Sequence, residues 1–376
     1  MSILDKLSTL IPLEQIEQGA QQQMYDALKL DFLIKLAIMP DVHQGYSLPI
    51  GGVALLDKVI SPPYVGYDID CGIFCVMTEI PFLDIIKNQR MRDKIFDEIY
   101  KVIPCGVGLS RGGGLVGFQD FKSASGDKQL TKEVTEKLNQ LGTLGSGNHF
   151  VEIGMNRKGN LCATVHSGSR KPGWLIAQYY MRISKLVDKD LPKGFLHLHG
   201  DVGQQYVQDL IFARKFAEMS RKVMIMDVLK VIGIKMSEVL RLSTYQAIHE
   251  NHNTVEIQGD KVLHRKGATP AEKGVLGVVP GSMQTGIYIT KGLGNDEYLN
   301  SASHGAGRKM SRSKAKSTIS LEKAKKQMTG ITCKMDKSTL EEAPDAYKDL
   351  HKVIEAQEGI VIDVVDFIRP IINVKG

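Results

Sequence analysis

Six short segments, each dense in Gly, Ser, Asn or Asp and each holding histidine or cysteine, recur along this chain. They are MPDVHQG (Met39 to Gly45), GYDIDCG (Gly66 to Gly72), LGSGNHF (Leu144 to Phe150), HSGSR (His166 to Arg170), HENHN (His249 to Asn253) and SASHGAGR (Ser301 to Arg308). Glycine in such places lets backbone N–H groups approach a phosphate closely, and His, Asp and Cys can bind a divalent metal. A lone histidine is most often a satisfied structural residue. Here six of the ten histidines lie in these segments, among them His43, His149, His166, His252 and His304, a clustering that packing alone does not require. Because the segments run almost from end to end, residues 1–376 are expected to form one interlaced domain, although the length would allow two or three.

The rest of the chain sets the frame. With 43% hydrophobic residues and no apolar run approaching the ~18 residues of a membrane span, disorder, collagen-like structure and a transmembrane protein are excluded. The first residues, MSILDKLSTLIPLEQIEQ, have no basic head followed by an apolar stretch, so no secretory signal is read and a cytoplasmic location is expected. The five cysteines (Cys71, Cys75, Cys105, Cys162 and Cys333) are odd in number and scattered, which suits free thiols or ligands better than disulfides. Residues 12–29 read as a helix; 50–56, 72–79, 149–153, 161–166 and 359–374 are short, β-branched and bounded by Gly or Pro, as strands are. From Trp174 to Leu240 the periodicity is helical throughout. Strands on both sides of a helical middle predict an α+β fold, and Gly112 to Gly114 and Ser123 to Lys128 read as long surface loops.

Charge is placed unevenly. Between Arg308 and Lys326 stand eight basic residues and one acid, a local charge of +7 against +6 for the whole chain. Such a strip fits the phosphates of RNA or DNA, although in isolation it is also what a solvated helix face looks like. Three familiar signatures fail. No GxxxxGK[ST] phosphate loop exists. The GxSxG match at Gly108 to Gly112 runs into further glycines instead of the helix a nucleophile elbow needs. His249-Glu-Asn-His252 is one residue short of the HExxH zincin spacing.

Asp68 and Cys71 are three apart, so a tight turn can aim a carboxylate and a thiolate at one ion or at two neighbours. Cys75, on the apolar stretch IFCVM, reads instead as a small buried hydrophobe. Mixed N, O and S ligands suit Mn²⁺ or Zn²⁺ better than Ca²⁺ or Mg²⁺.

Together with LGTLGSGNHFVEI, RKGAT, PGSM, GLGN, HGAGR, AYKDL and the terminal VKG, these segments resemble the RtcB RNA ligases over essentially the whole chain. The resemblance implies a single RtcB-like domain, with mixed sheets around a metal centre, and a GTP- and Mn²⁺-dependent enzyme. Such enzymes join a 2′,3′-cyclic phosphate or 3′-phosphate RNA end to a 5′-hydroxyl end, in RNA repair or tRNA splicing, with an Archease-type activator as a further candidate partner. By the same resemblance the metal ligands fall on Asp68, Cys71, His149, His166 and His252, with Cys71 shared between two Mn²⁺ ions. The guanylylated residue falls on His304. Nucleotide contacts fall on Asn148, Glu152, Asn253, Pro280, Gly281, Ser282, Met283, Gly305, Ala306, Gly307, Tyr347 and Lys375.

Several positions depart from the family pattern. Tyr67 and Asp70 replace a small apolar residue and a glycine, and Asp70 is expected to add a carboxylate beside the metal ligands. Gln284 replaces a glycine, Ile287 a serine that touches guanine in relatives, and Ser220 an asparagine. These departures suggest a divergent branch and leave two alternatives: a metal-dependent RNA end phosphoesterase without nucleotidyl transfer, and a non-enzymatic RNA-binding protein with a structural metal.

Overall fold

All five segments read as strands form strands, and their alternation decides which side chains reach the site. In Phe150–Met155, Val151 and Ile153 enter one hydrophobic core while Phe150 and Glu152 face the opposite side; in Asn160–Ser167, Leu161, Ala163 and Val165 share that core and His166 turns away from it. The structure is a computed structural model describing residues 3–111, 121–234 and 246–376. Gly112 to Gly114, the last residue of the GxSxG match and the end of the helical middle at Leu240 lie outside the described residues.

The fold is mixed α+β. Its larger sheet runs, in spatial order, Leu276–Pro280, Ile287–Gly292, Ile362–Val374, Phe150–Met155, Asn160–Ser167, Gly72–Pro81 and Gln246–Asn251, antiparallel at every step. The 13-residue strand Ile362–Val374 joins the two halves of this sheet, and its register against Phe150–Met155 shifts between Pro370 and Ile372. Pro370 has no N–H for the ladder, which accounts for a bulge there. One face of the sheet is covered by Ile95 and Ile99 of helix Gln89–Val102 and by Met224, Ile225, Val228 and Leu229 of helix Asp201–Val231. A second sheet of five strands contains Leu33–His43, Ile50–Asp57, Asn253–Gln258 and Lys261–Lys266, so residues 246–292 are far richer in strands than the sequence reading anticipated.

The helical middle is corrected by the structure. Helix Arg170–Ile183 stops, the chain makes a short strand Leu196–His197 against Val59–Ile60, and helix Asp201–Val231 then begins. Pro192, Gly194 (φ +98°) and Gly200 break the apolar period that otherwise runs on. The predicted 12–29 helix is trimmed to Gln18–Leu28. Among the described residues no helix is long and apolar enough to cross a membrane.

Candidate metal and nucleotide centre

Strand register brings the metal-end residues together. Gly72 pairs with Ser167 on one side and Asn251 on the other, and Phe150 pairs with His166. Cys71, His149, His166 and His252 therefore stand at the same end of neighbouring strands. Cys71 Sγ lies 3.2 Å from His166 Nε2 and 3.5 Å from His149 Nε2; His166 Nε2 lies 3.2 Å from His252 Nε2, and His149 Nε2 lies 2.9 Å from Asp68 Oδ2. All five predicted residues thus converge as two groups, Cys71 with His166 and His252, and Cys71 with Asp68 and His149. Cys71 belongs to both.

The donor chemistry fits divalent cations. His149 Nδ1–H donates to the Leu144 carbonyl at 2.9 Å and His166 Nδ1–H to the Asn148 carbonyl at 3.2 Å, which leaves each Nε2 as a bare lone pair facing the cluster. Burial, reinforced by neighbouring cationic and imidazole groups, holds His166 and His252 well below the usual imidazole range, so both are neutral. Burial and the Asp68 carboxylate push the Cys71 thiol well up. Lone pairs facing one another at these distances repel unless a cation sits among them, and the same cation turns the thiol into a thiolate.

Beside this cluster lies a cavity of about 580 Å³, within the range of small-molecule sites. Every predicted nucleotide contact lines it: Asn148, Glu152, Asn253, Pro280 to Met283, Gly305 to Gly307, Tyr347 and Lys375, as does His304. His149 alone of the predicted site residues is absent from its walls. Glu152 and Asn373 are a direct cross-strand pair, with Asn373 Nδ2 donating to Glu152 Oε2 at 3.0 Å. Glu152 Oε1 and Asn373 Oδ1 are buried with no partner. Burial raises the Glu152 carboxyl to about 8, against the pull of Asn373 and Lys375. Lys375 Nζ donates to the Gly147 carbonyl at 3.2 Å and to Glu342 Oε2 at 3.4 Å, and Tyr347 OH donates to the same carboxylate. Asn253 is engaged at both ends, donating to the Asp68 carbonyl at 3.2 Å and accepting from Gly267 N–H at 2.9 Å.

His304 stands between the two ends. Its Nδ1 lies 2.6 Å from Oδ2 of the fully buried Asp41, and its ring centroid is 4.8 Å from that of His252. Asp41 fixes the tautomer and leaves Nε2 free. The loop after His304 can pack there because Gly307 (φ +72°) lies against the Asp41 backbone, where an added Cβ would stand 2.2 Å from the carbonyl oxygen.

Some expectations need correction. Asp70 does not join the metal cluster: its carboxylate accepts from Arg214 Nε at 3.1 Å and faces Arg221 Nη2 at 3.5 Å, both on the long helix. The basic strip is half neutralised, because Arg308 and Arg312 meet Glu342, Lys316 meets Glu341 and Lys323 meets Asp345. Ile287 is a buried core residue, and Gln284 lines a neighbouring groove instead of the cavity. The sequence reading gave no role to Asp41, although it quoted the residue inside MPDVHQG. It also missed Glu342, the buried carboxylate shared by Arg308, Tyr347 and Lys375, and Lys266, a buried lysine on the cavity wall that donates to the Pro63 carbonyl at 2.7 Å. The Asp41 signal was an acid in a glycine- and histidine-bearing motif, and Lys266 sits in the quoted RKGAT segment; Glu342 carries no comparable local signal.

Comparison with known proteins agrees with this geometry. The family model described as tRNA-splicing ligase RtcB matches residues 23–376. An RNA-splicing ligase RtcB from Escherichia coli is 32% identical, with 96% of this chain and 95% of that protein aligned. A tRNA-splicing ligase RtcB from Pyrobaculum aerophilum is 30% identical, with 90% of this chain and 87% of that protein aligned. On this evidence the chain belongs to the RtcB family of RNA-splicing ligases.

Proposed function

We propose that this protein joins RNA ends bearing a 2′,3′-cyclic phosphate or 3′-phosphate to 5′-hydroxyl ends, using GTP and Mn²⁺, through GMP carried on His304. The observation that carries this reading is the 2.6 Å pairing of His304 Nδ1 with buried Asp41, which leaves Nε2 free in a cavity beside the metal cluster. Nε2 would attack the α-phosphorus of GTP; the N–P bond forms as the bond to pyrophosphate breaks. Gly305 and Gly307 let the loop beside the nucleophile pack closely, since an added Cβ would stand 3.1 Å from the Pro280 carbonyl oxygen and 2.2 Å from that of Asp41. After opening of the cyclic phosphate, a 3′-phosphate oxygen displaces His304 from GMP, and the 5′-hydroxyl oxygen then displaces GMP from the activated RNA end.

Two Mn²⁺ ions would be held by Asp68, Cys71 and His149 and by Cys71, His166 and His252; bound there, they would neutralise charge developing on phosphoryl oxygens. Glu152, with one buried oxygen unpartnered, Lys375 and Tyr347 would bind the nucleotide, together with Asn148, Asn253 and the Pro280 to Met283 turn. The phosphoesterase alternative drew on Gln284 and Ile287, and neither closes this cavity.

Incubation with Mn²⁺ and α-labelled GTP tests the reading. An acid-labile, base-stable protein adduct that disappears in His304→Ala supports it; no adduct, with cyclic ends still opened without GTP, overturns it in favour of a phosphoesterase.

A further inference from the structure

At the mouth of the cavity three aromatic rings form a partly exposed array. Tyr46 is 56% exposed and Tyr67 39% exposed, and both line the cavity. Tyr67 is stacked on Trp174, with centroids 5.9 Å apart and planes 23° from parallel, and Tyr46 meets Tyr67 edge to face at 6.1 Å. Lys171 Nζ lies over the Trp174 ring, 3.2 Å from its centroid. Trp174 is the only tryptophan in the chain.

The placement of these rings is informative. Tyr67 directly precedes Asp68 of the metal cluster. Tyr46 lies three residues after His43, in the connection between strands Leu33–His43 and Ile50–Asp57. Trp174 lies in the first turns of the helix that begins at Arg170, whose Nη1 lies 3.4 Å from His149 Nδ1. Three separate elements, each tied to the reactive centre, therefore bring an aromatic ring to the same rim. Neighbouring large aromatic side chains left this exposed on a cavity rim suit a ligand with a flat face, since water solvates them poorly. A lysine over the stack adds positive charge beside it.

We infer that Tyr46 and Tyr67, with Trp174 and Lys171 backing Tyr67, form a stacking platform for the unpaired terminal nucleobases of the RNA strand whose phosphate enters the metal cluster. The inference rests on the RNA-ligase reading and adds to it that the end is taken as a single strand. Stacking suits this role because every base has a π-face, so the contact tolerates any sequence.

The test uses the full chain and a 3′-phosphorylated oligoribonucleotide, compared with the same oligonucleotide made abasic at its last two positions. Binding is read by anisotropy at fixed salt and by Trp174 emission. In the wild type the intact strand is expected to quench Trp174 and to bind about 5- to 100-fold more tightly than the abasic one, the range base–aromatic stacking supports. Tyr67→Ala is expected to weaken only the intact strand, Tyr67→Phe to restore it, and Tyr46→Ala to give a smaller loss of the same kind. Equal affinity for intact and abasic strands in the wild type, an unchanged preference in Tyr67→Ala, or no RNA binding at all overturns the platform. Base-dependent binding without a His304 adduct leaves the platform standing while the ligase reading fails; an adduct with base-independent binding does the reverse.

Discussion

The two ends of the cavity are built on opposite principles. At the metal end, Nε2 of three imidazoles, the Cys71 thiol and the Asp68 carboxylate face one another at 2.9 to 3.5 Å, a donor set that divalent cations would complete. At the nucleotide end the charged groups have already found each other, with Arg308, Tyr347 and Lys375 gathered on the 2% exposed Glu342. Among the described residues, Glu152 Oε1 and Asn373 Oδ1 are left there without partners. One end thus presents a converging donor set that a ligand should order further, whereas the other is pre-organised by ion pairs. A metal-end change should act through ion binding; a nucleotide-end change should act on folding as well.

The strongest way to break this contrast is Cys71→Ala. Because Cys71 belongs to both donor groups, both Mn²⁺ ions should be lost in equilibrium dialysis and adduct formation should fall below detection, while His149→Ala should spare one ion. Retention of two ions by Cys71→Ala would dissolve the shared-ligand arrangement. Chelation of the wild type should lower its melting temperature and Mn²⁺ should restore it, since a ligand that binds only the folded state stabilises that state.

Asp41→Asn comes next. It retains a side chain of similar shape but removes the charge that holds His304 Nδ1–H, so adduct formation should slow by about 10²- to 10⁴-fold, by analogy with loss of the orienting carboxylate in a catalytic triad. Its pH profile should shift while Mn²⁺ binding is unchanged. A rate within a factor of two of wild type would mean that Asp41 only packs.

Glu342→Gln should sharpen the contrast from the other side. Arg308, Arg312 and Lys375 lose their shared buried carboxylate, and breaking such a pair typically costs about 3–5 kcal/mol. Urea denaturation should record that loss in full, with Mn²⁺ stoichiometry intact; a loss of metal instead would show that the two ends are coupled.

A smaller effect is expected from Glu152, whose carboxyl burial raises from 4.5 to about 8. Between those values the folded chain holds a proton that the unfolded chain has released, so this group's contribution to stability is full below 4.5 and falls as pH rises to about 8. Glu152→Gln should flatten the stability profile over that window; an identical slope would refute the shift. The smallest effect concerns the basic strip. Lys314→Ala, which removes a lysine with no carboxylate within 4.0 Å among the described residues, should reduce the salt slope of RNA binding by about 0.7. Lys323→Ala, which removes the partner of Asp345, should change it less.

The metal end was more legible in the sequence than the nucleotide end. Its candidate ligands sit in short glycine- and histidine-bearing segments, and the resemblance to the RtcB ligases pointed to them one by one. Asp70 shows the limit: next to Cys71 in sequence, it read as a further metal-side carboxylate, yet the long helix brings Arg214 and Arg221 to it and turns it away. The basic strip shows the same limit, since the acids that neutralise half of it stand at 341, 342 and 345. The unbroken helical middle failed for a local reason, because apolar periodicity was given more weight than Pro192, Gly194 and Gly200.

The sequence by itself determined the inventory: which segments turn tightly, which strands alternate, which side chains can bind metal or attack phosphorus, and which family of proteins this chain joins. Tertiary structure alone decided the pairings. Asp41 meets His304 across 263 residues, Glu342 gathers Arg308, Arg312, Tyr347 and Lys375, and three rings from separate elements pack on one another beside the cavity. Turn and strand preferences are properties of a few adjacent residues, whereas the partner of a buried charge is fixed by strand register and helix packing, which involve the whole chain at once.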